Sequence, residues 1–140
     1  MAVAKALERW AFPVVKALGE TGEEPTSPTG NQVVGEKAQW HIVELTTGGE
    51  LKMAVSGSEA MFILEDTPKQ KEYGTVALVG VSKAIASEAI KAGQVVSSNN
   101  SGEAQLCVKG QFALGVALGT AAKGGFVPIL IHSGSGIVHA

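Results

Sequence analysis

The alternation of apolar and polar positions changes rhythm along the chain. Residues 1–18, MAVAKALERWAFPVVKAL, place Val3, Leu7, Trp10, Val14 and Leu18 at helical spacing. Pro13 interrupts that spacing, and an interior proline costs a helix about 3 kcal/mol. The pattern predicts a short helix before Phe12 or, failing that, an extended arm. An apolar segment with Trp10 and Phe12 is costly to leave in water, so it is expected to dock on its own domain or on a neighbour. Residues 19–32, GETGEEPTSPTGNQ, read as a linker, a long loop or flexible hinge, with Glu20, Glu23 and Glu24 as solvated charges.

From residue 33 the rhythm is that of strands. Residues 39–45 alternate loosely, with Trp40, Ile42 and Glu44 opposite His41, Val43 and Leu45. Thr46-Thr47-Gly48-Gly49-Glu50 supplies a hairpin turn into residues 51–55, Ser56-Gly57-Ser58 breaks the run, and residues 61–64 form a short apolar strand. Residues 65–73 are a polar loop. Residues 75–81 read as a strand, residues 84–90 as a short helix by composition, and residues 89–93 as a tight turn with Gly93 at positive φ. Strands are expected at 94–97, 104–109, 113–118 and 126–132, and a last one at 137–139. Turns separate them at 99–102, which holds Gly102, at 120–125, which holds Gly124, and at 133–136. In residues 104–109 the alternation sets Ala104, Leu106 and Val108 against Gln105, Cys107 and Lys109. Turns every 8–12 residues are the signature of a mainly β fold, a small barrel or a sandwich of short strands. The chain thus divides into an arm and linker, residues 1–32, and a β domain, residues 33–140.

Composition changes the picture in two respects. Of 140 residues 45% are hydrophobic, yet only seven are aromatic and 18 are glycine. A core of small aliphatic residues suits a narrow barrel or a closely packed sandwich. The charge is also unevenly placed. Residues 74–140 carry Lys83, Glu88, Lys91, Glu103, Lys109 and Lys123, six of the chain's 24 charges. Either this half is simply core, or much of its surface is covered by other chains, because interface centres are depleted of charge.

Several function classes are set aside. The net charge is −2, and ten of eleven basic residues are Lys, with Arg9 the exception, so no nucleic-acid partner is expected. No apolar run approaches eighteen residues, so no membrane span is expected, and no secretory signal is read at the N-terminus. The single Cys107 excludes an internal disulfide and a cysteine-based zinc site. Its neighbour Lys109 offers little activation, so it reads as a plain thiol. His41, His132 and His139 lack metal-ligand spacing, and neither metal nor cofactor is expected. The segment Gly119-Thr-Ala-Ala-Lys-Gly-Gly fails as a phosphate loop, because Lys123 precedes Gly124 and no Ser or Thr follows. Ser133-Gly-Ser-Gly lacks the glycines of a nucleophile elbow, and Asn99-Asn100-Ser101 means only a turn. Glu65-Asp66 and the pair His41 and Glu44 are the remaining acid–base candidates, better read as solvated loop residues. No catalytic residue is assigned, and the chain is not expected to be an enzyme.

Three stretches carry a resemblance: Gly74-Thr-Val-Ala-Leu-Val-Gly-Val, Ala89-Ile-Lys-Ala-Gly-Gln-Val-Val, and Leu114-Gly-Val-Ala-Leu-Gly-Thr-Ala-Ala-Lys-Gly-Gly-Phe-Val-Pro-Ile-Leu-Ile. Over residues 74–140 the chain resembles the capsid decoration (cement) proteins of tailed bacteriophages, with Gly102-Glu103 where their hairpin usually has Gly-Lys. The resemblance implies a small β-barrel or β-tulip domain forming a homotrimer on the outer surface of an expanded virus head. There it would clamp neighbouring major capsid subunits, after synthesis in the host cytoplasm. Self and the major capsid protein are then the expected partners. Trp10, Phe12 and Trp40 are the expected interface anchors, because buried aromatics tend to carry interface energy. The alternative is a non-catalytic binding module, for example for carbohydrate, that uses exposed Trp10 and Trp40 as a stacking platform.

Overall fold

A computed structural model describes residues 9–13, 39–59, 61–67 and 73–132. The expected linker at 19–32 and the turn and strand at 133–139 lie outside the described residues. Within them the chain forms ten strands and no helix: β1 Arg9–Pro13, β2 Ile42–Leu45, β3 Leu51–Met53, β4 Met61–Leu64, β5 Tyr73–Ala77, β6 Gly80–Ile85, β7 Val95–Ser98, β8 Ala104–Leu106, β9 Gly115–Ala117 and β10 Phe126–Ile131. They make two antiparallel five-stranded sheets, the first ordered β1-β5-β4-β2-β3 and the second β6-β10-β9-β7-β8. The expectation of a mainly β fold holds.

The strands owe their pairing to short-range turn chemistry. In the β2–β3 turn the Thr46 N–H donates to the Glu50 carbonyl at 2.7 Å, and Gly49 takes φ +81°. In the β7–β8 turn the Asn99 Oδ1 accepts from the N–H groups of Ser101 and Glu103 at 2.8 and 2.9 Å, while Gly102 sits at φ +71°. Gly93 and Gly124 also lie in the left-handed region, at +87° and +83°.

The two sheets face each other across one aliphatic core. Ile42, Met61, Ile63 and Ala77 of the first pack with Ala84, Val96, Ala117, Val127, Ile129 and Ile131 of the second, and Ile90 and Leu114 join from connections. None of the rings of Trp40, Phe62, Tyr73, Phe112 and Phe126 is fully buried, and the many alanines let the sheets approach closely. Each Leu, Ile or Met buried here contributes about 1.5–3 kcal/mol. Alternate residues of the first sheet point the other way. Val43, Leu51, Met53, Leu64 and Val76 form a second buried cluster there, so the first sheet is buried on both faces.

Three expectations are corrected. Residues 75–81 are not one strand: β5 ends at Ala77, the chain turns through Leu78 and Val79, and β6 begins in the other sheet at Gly80, which takes φ +90°. Residues 84–90 are not a helix. Ala84 and Ile85 complete β6, and Ala86 and Ile90 make single β-bridges to Ala104 and Ala121, because sheet pairing outweighs the helical preference of alanine. The alternation at 104–109 stops at Leu106: Cys107 is buried, and Val108 and Lys109 are exposed. Of the arm only residues 9–13 are described, and these are extended: β1 pairs antiparallel with β5 from Arg9 opposite Ala77 to Pro13 opposite Tyr73.

Candidate functional site

The outward positions of the second sheet form the surface that departs most from what an antiparallel sheet usually shows. Such sheets normally bury one face and present polar residues on the other. Here the inner face is core, and the outer face is also apolar. Register lines up Val81 of β6, Leu130 of β10, Val116 of β9 and Val95 of β7 in one cross-strand row. Pro128 lies opposite Lys83, with Leu118 joined to it by a 2.8 Å backbone hydrogen bond, and Phe126 lies opposite Ile85. Val81 is 54% exposed, Phe126 50%, Leu118 48% and Leu130 43%.

Charge is placed so as to leave that face clear. Of the six charges in residues 74–140, only Lys83 lies in a strand. Glu88, Lys91, Glu103, Lys109 and Lys123 all sit in connections. The core reading therefore explains the inner face of the second sheet and not the outer one.

One corner of the face is organised by Trp40. Its N–H donates to the Leu64 carbonyl at 2.8 Å and its carbonyl accepts from the Ile85 N–H at 3.1 Å, so its backbone bridges the two sheets. To do so it takes φ +66°, a left-handed conformation that costs a non-glycine residue about 1–2 kcal/mol. The ring meets Phe126 edge to face, with centroids 6.5 Å apart and planes at 82°. The Lys83 ammonium lies 4.6 Å from the Trp40 centroid and 4.5 Å from that of Phe126. Cation–π attraction of about 0.5–1 kcal/mol at an exposed position holds the single cation of the face against two rings.

Trp40 is thus half-buried at the rim of the face, with one ring surface taken up by Lys83. Trp10 and Phe12 lie in β1, in register with Val76 and Gly74, and their side chains lie outside the described residues. Sequence reasoning passed over Phe126, Leu130, Val81 and Leu118. The signal that could have found them is the alternation of β10, where Phe126, Pro128 and Leu130 share a face opposite Val127, Ile129 and Ile131.

The acid–base candidates have structural partners. The Glu65 carboxylate accepts from the Ser82 hydroxyl at 2.8 Å, and the Asp66 carboxylate accepts from the Thr75 N–H at 3.1 Å. Together they pin the β4–β5 connection to both sheets. Glu44 pairs with Lys52 at 2.7 Å and accepts from the Ser58 hydroxyl and from the Val55 N–H. His41 faces its own backbone, with Nδ1 3.3 Å from the Gln39 carbonyl oxygen. Burial raises the Cys107 thiol pKa, with a hydrogen bond to Ser97 acting the other way. The segment 119–125 leads into a strand instead of the helix a phosphate loop requires, with Lys123 exposed. Among the described residues no group of three His, Cys, Asp or Glu could hold a metal ion. No described helix is long and apolar enough to cross a membrane. His139 and Ser133 to Gly136 lie outside the described residues.

No family model matches the chain, and no curated protein matches it. Among solved structures, it is similar to the crystal structure of the head fiber gp8.5 N base in bacteriophage phi29. The TM-score is 0.58 with 16% identical residues, covering 94% of this chain and 99% of that one. At that identity the likeness is one of fold.

Proposed function

We propose that the protein is a structural virion protein of a tailed phage, held on the outer surface of the head. In this reading it assembles as a homotrimer through the outer face of its second sheet and clamps neighbouring major capsid subunits. The observation that carries the reading is that face: apolar across four strands, exposed at Val81, Leu118, Phe126 and Leu130 and half-buried at Val95 and Val116, with Lys83 as the one charge in its strands. A face of this kind is the expected centre of a lasting protein–protein interface, where charge is depleted and aromatic anchors concentrate. The fold shared with a phage head-fibre base supports the setting.

The proposed mechanism is mechanical. A protein that binds only the expanded lattice stabilises that state in proportion to its occupancy and affinity. A trimer that touches several subunits at once gains further, because each contact after the first forms at high effective concentration. No catalytic step, cofactor, nucleic acid or membrane enters this reading. The carbohydrate-binding alternative needs an open tryptophan platform, and the Trp40 ring is engaged by Lys83 and Phe126 instead.

The test is where the protein is found. Antibody raised against the chain should label the outside of intact particles from the strain that encodes it, and the protein should co-sediment with expanded heads. Particles that neither carry the chain nor bind it when it is added back would overturn the proposal.

A further inference from the structure

Four neutral side chains from separate parts of the chain meet at one hydroxyl. Ser56 lies between β3 and β4, Asn100 in the β7–β8 turn, Gln105 in β8, and Gln111 between β8 and β9. Gln105 and Gln111 each donate from Nε2 to the Ser56 hydroxyl oxygen, at 3.2 and 2.7 Å. The Ser56 N–H donates to Asn100 Oδ1 at 2.9 Å. Backbone groups decide which way each amide faces. The Ser98 carbonyl only accepts, so it takes Gln105 Nε2, at 3.1 Å. The Val108 N–H only donates, so it faces Gln111 Oε1, also at 3.1 Å. The Ser56 N–H fixes Asn100 in the same way.

What these side chains keep for a ligand follows by count. The Ser56 oxygen has accepted twice and keeps its O–H. Gln105 has given both N–H groups and keeps Oε1. Gln111 keeps one N–H, and Asn100 keeps both of its own. No described residue takes up these groups. Ser56 and Asn100 are exposed, and Gln105 and Gln111 are half-buried. Beside them, Val55 precedes Ser56, Val108 is bonded to Gln111, and both valines are exposed. Surface hydroxyls and amides ordinarily turn freely, and a ligand that fixes them works against that entropy. Here folding has already fixed them, which is the preorganisation that favours binding. Two accepted bonds also polarise the Ser56 O–H and strengthen it as a donor.

We infer that this cluster binds a neutral saccharide. A sugar ring carries adjacent hydroxyls that each donate and accept, which suits the donors of Ser56, Gln111 and Asn100 beside the Gln105 acceptor. Its C–H faces rest on Val55 and Val108, so a few placed polar groups set the orientation and small apolar surfaces the contact. Nothing in the four side chains balances a phosphate, sulfate or carboxylate. The charged residues of the same connections, Glu59, Glu103 and Lys109, are of both signs. The site uses no aromatic ring, so the engagement of Trp40 does not bear on it. It lies outside the row of Val81, Leu130, Val116 and Val95, so it goes beyond the structural role proposed above and does not depend on self-association.

The test applies the full chain to immobilised glycans of three kinds: neutral bacterial polysaccharides, neutral oligosaccharides of the kind borne by proteins, and acidic glycans. Binding to a neutral kind is expected, and the kind that binds identifies the source of the sugar. Free oligosaccharide of that kind should compete the wild-type chain off. Asn100→Asp keeps the acceptor for the Ser56 N–H and removes both outward N–H groups. Ser56→Ala removes the hydroxyl. Each should weaken binding about tenfold or more. The denaturation midpoint of Asn100→Asp should stay at the wild-type value, which separates loss of the site from loss of the fold. No binding to any neutral glycan, binding to acidic glycans alone, or neutral binding unchanged in both variants would overturn the inference. Phage heads that bind the wild-type chain and not Asn100→Asp, with no glycan bound by either, would assign the cluster to a protein contact. That result would overturn the saccharide site and leave the structural role standing.

Discussion

Trp40 shows how one residue serves fold and surface together. Its backbone joins β4 to β6, its ring seats Lys83 and Phe126, and its left-handed φ is held by the two hydrogen bonds that flank it. That the position matters was legible, because Trp is scarce in this chain. Its conformation was not, because tertiary hydrogen bonds decide a left-handed tryptophan and no local signal does. Glycines are the opposite case. Gly93, Gly102 and Gly124 stand in turns that sequence marks, but the space around them differs. A Cβ at Gly93 or Gly124 would meet nothing within 4 Å, whereas at Gly102 it would run into Met53 and the Ile42 carbonyl oxygen. Gly93→Ala and Gly124→Ala should each cost about 1–2 kcal/mol from the left-handed backbone alone. Gly102→Ala should cost about 1–3 kcal/mol more from the collision, and chemical denaturation of the three variants checks the order.

Two further residue-scale outcomes follow from charge. Cys107 has its folded pKa raised by burial above its ordinary value near 9.0. Below that value the thiol is neutral in both states and its contribution to stability is complete. As pH rises through it, the unfolded chain loses the proton first, so stability falls. Denaturation midpoints measured from pH 7 to pH 10 should decline at the alkaline end, and Cys107→Ala should flatten that decline. Lys83 is the cation that an interface would have to strip of water. Lys83→Met keeps the stem against the rings and removes that penalty, so it should tighten self-association several-fold in sedimentation equilibrium.

At the scale of elements, legibility followed the strength of local punctuation. β4 at Met61–Leu64 has the bounds its pattern predicts, and the turns at 46–50 and 99–102 close the hairpins they announce. Errors arose where local composition and global pairing disagree. Residues 75–81 are continuously apolar, so nothing local shows that Gly80 hands the chain from one sheet to the other. Residues 84–90 are alanine-rich, yet Ala84 and Ala86 are completely buried between the sheets, where only a small side chain fits. The arm lay between two readings because its helical spacing contains Pro13. As a strand, β1 places that proline at its last residue, where a missing N–H is tolerated.

For the molecule as a whole, the asymmetry between the sheets is the central fact. The first is buried on both faces, while the second buries one and exposes the other, and both faces of the second are apolar. The scarcity of charge in residues 74–140 was visible in the sequence, but its meaning was not. Only the register shows that five of the six charges fall in connections and leave the strands clear. The covering partner proposed above, further copies of the same chain, would account for an outer face of this kind.

Light scattering during size-exclusion chromatography, run on the wild-type chain and on Leu130→Glu, tests that claim most directly. The account predicts a wild-type particle of three times the 14.3 kDa chain mass. It also predicts a folded monomer for Leu130→Glu, whose carboxylate would stand in the centre of the apolar row. A wild-type chain that stays monomeric at every concentration, or a Leu130→Glu variant that associates as the wild type does, would contradict it.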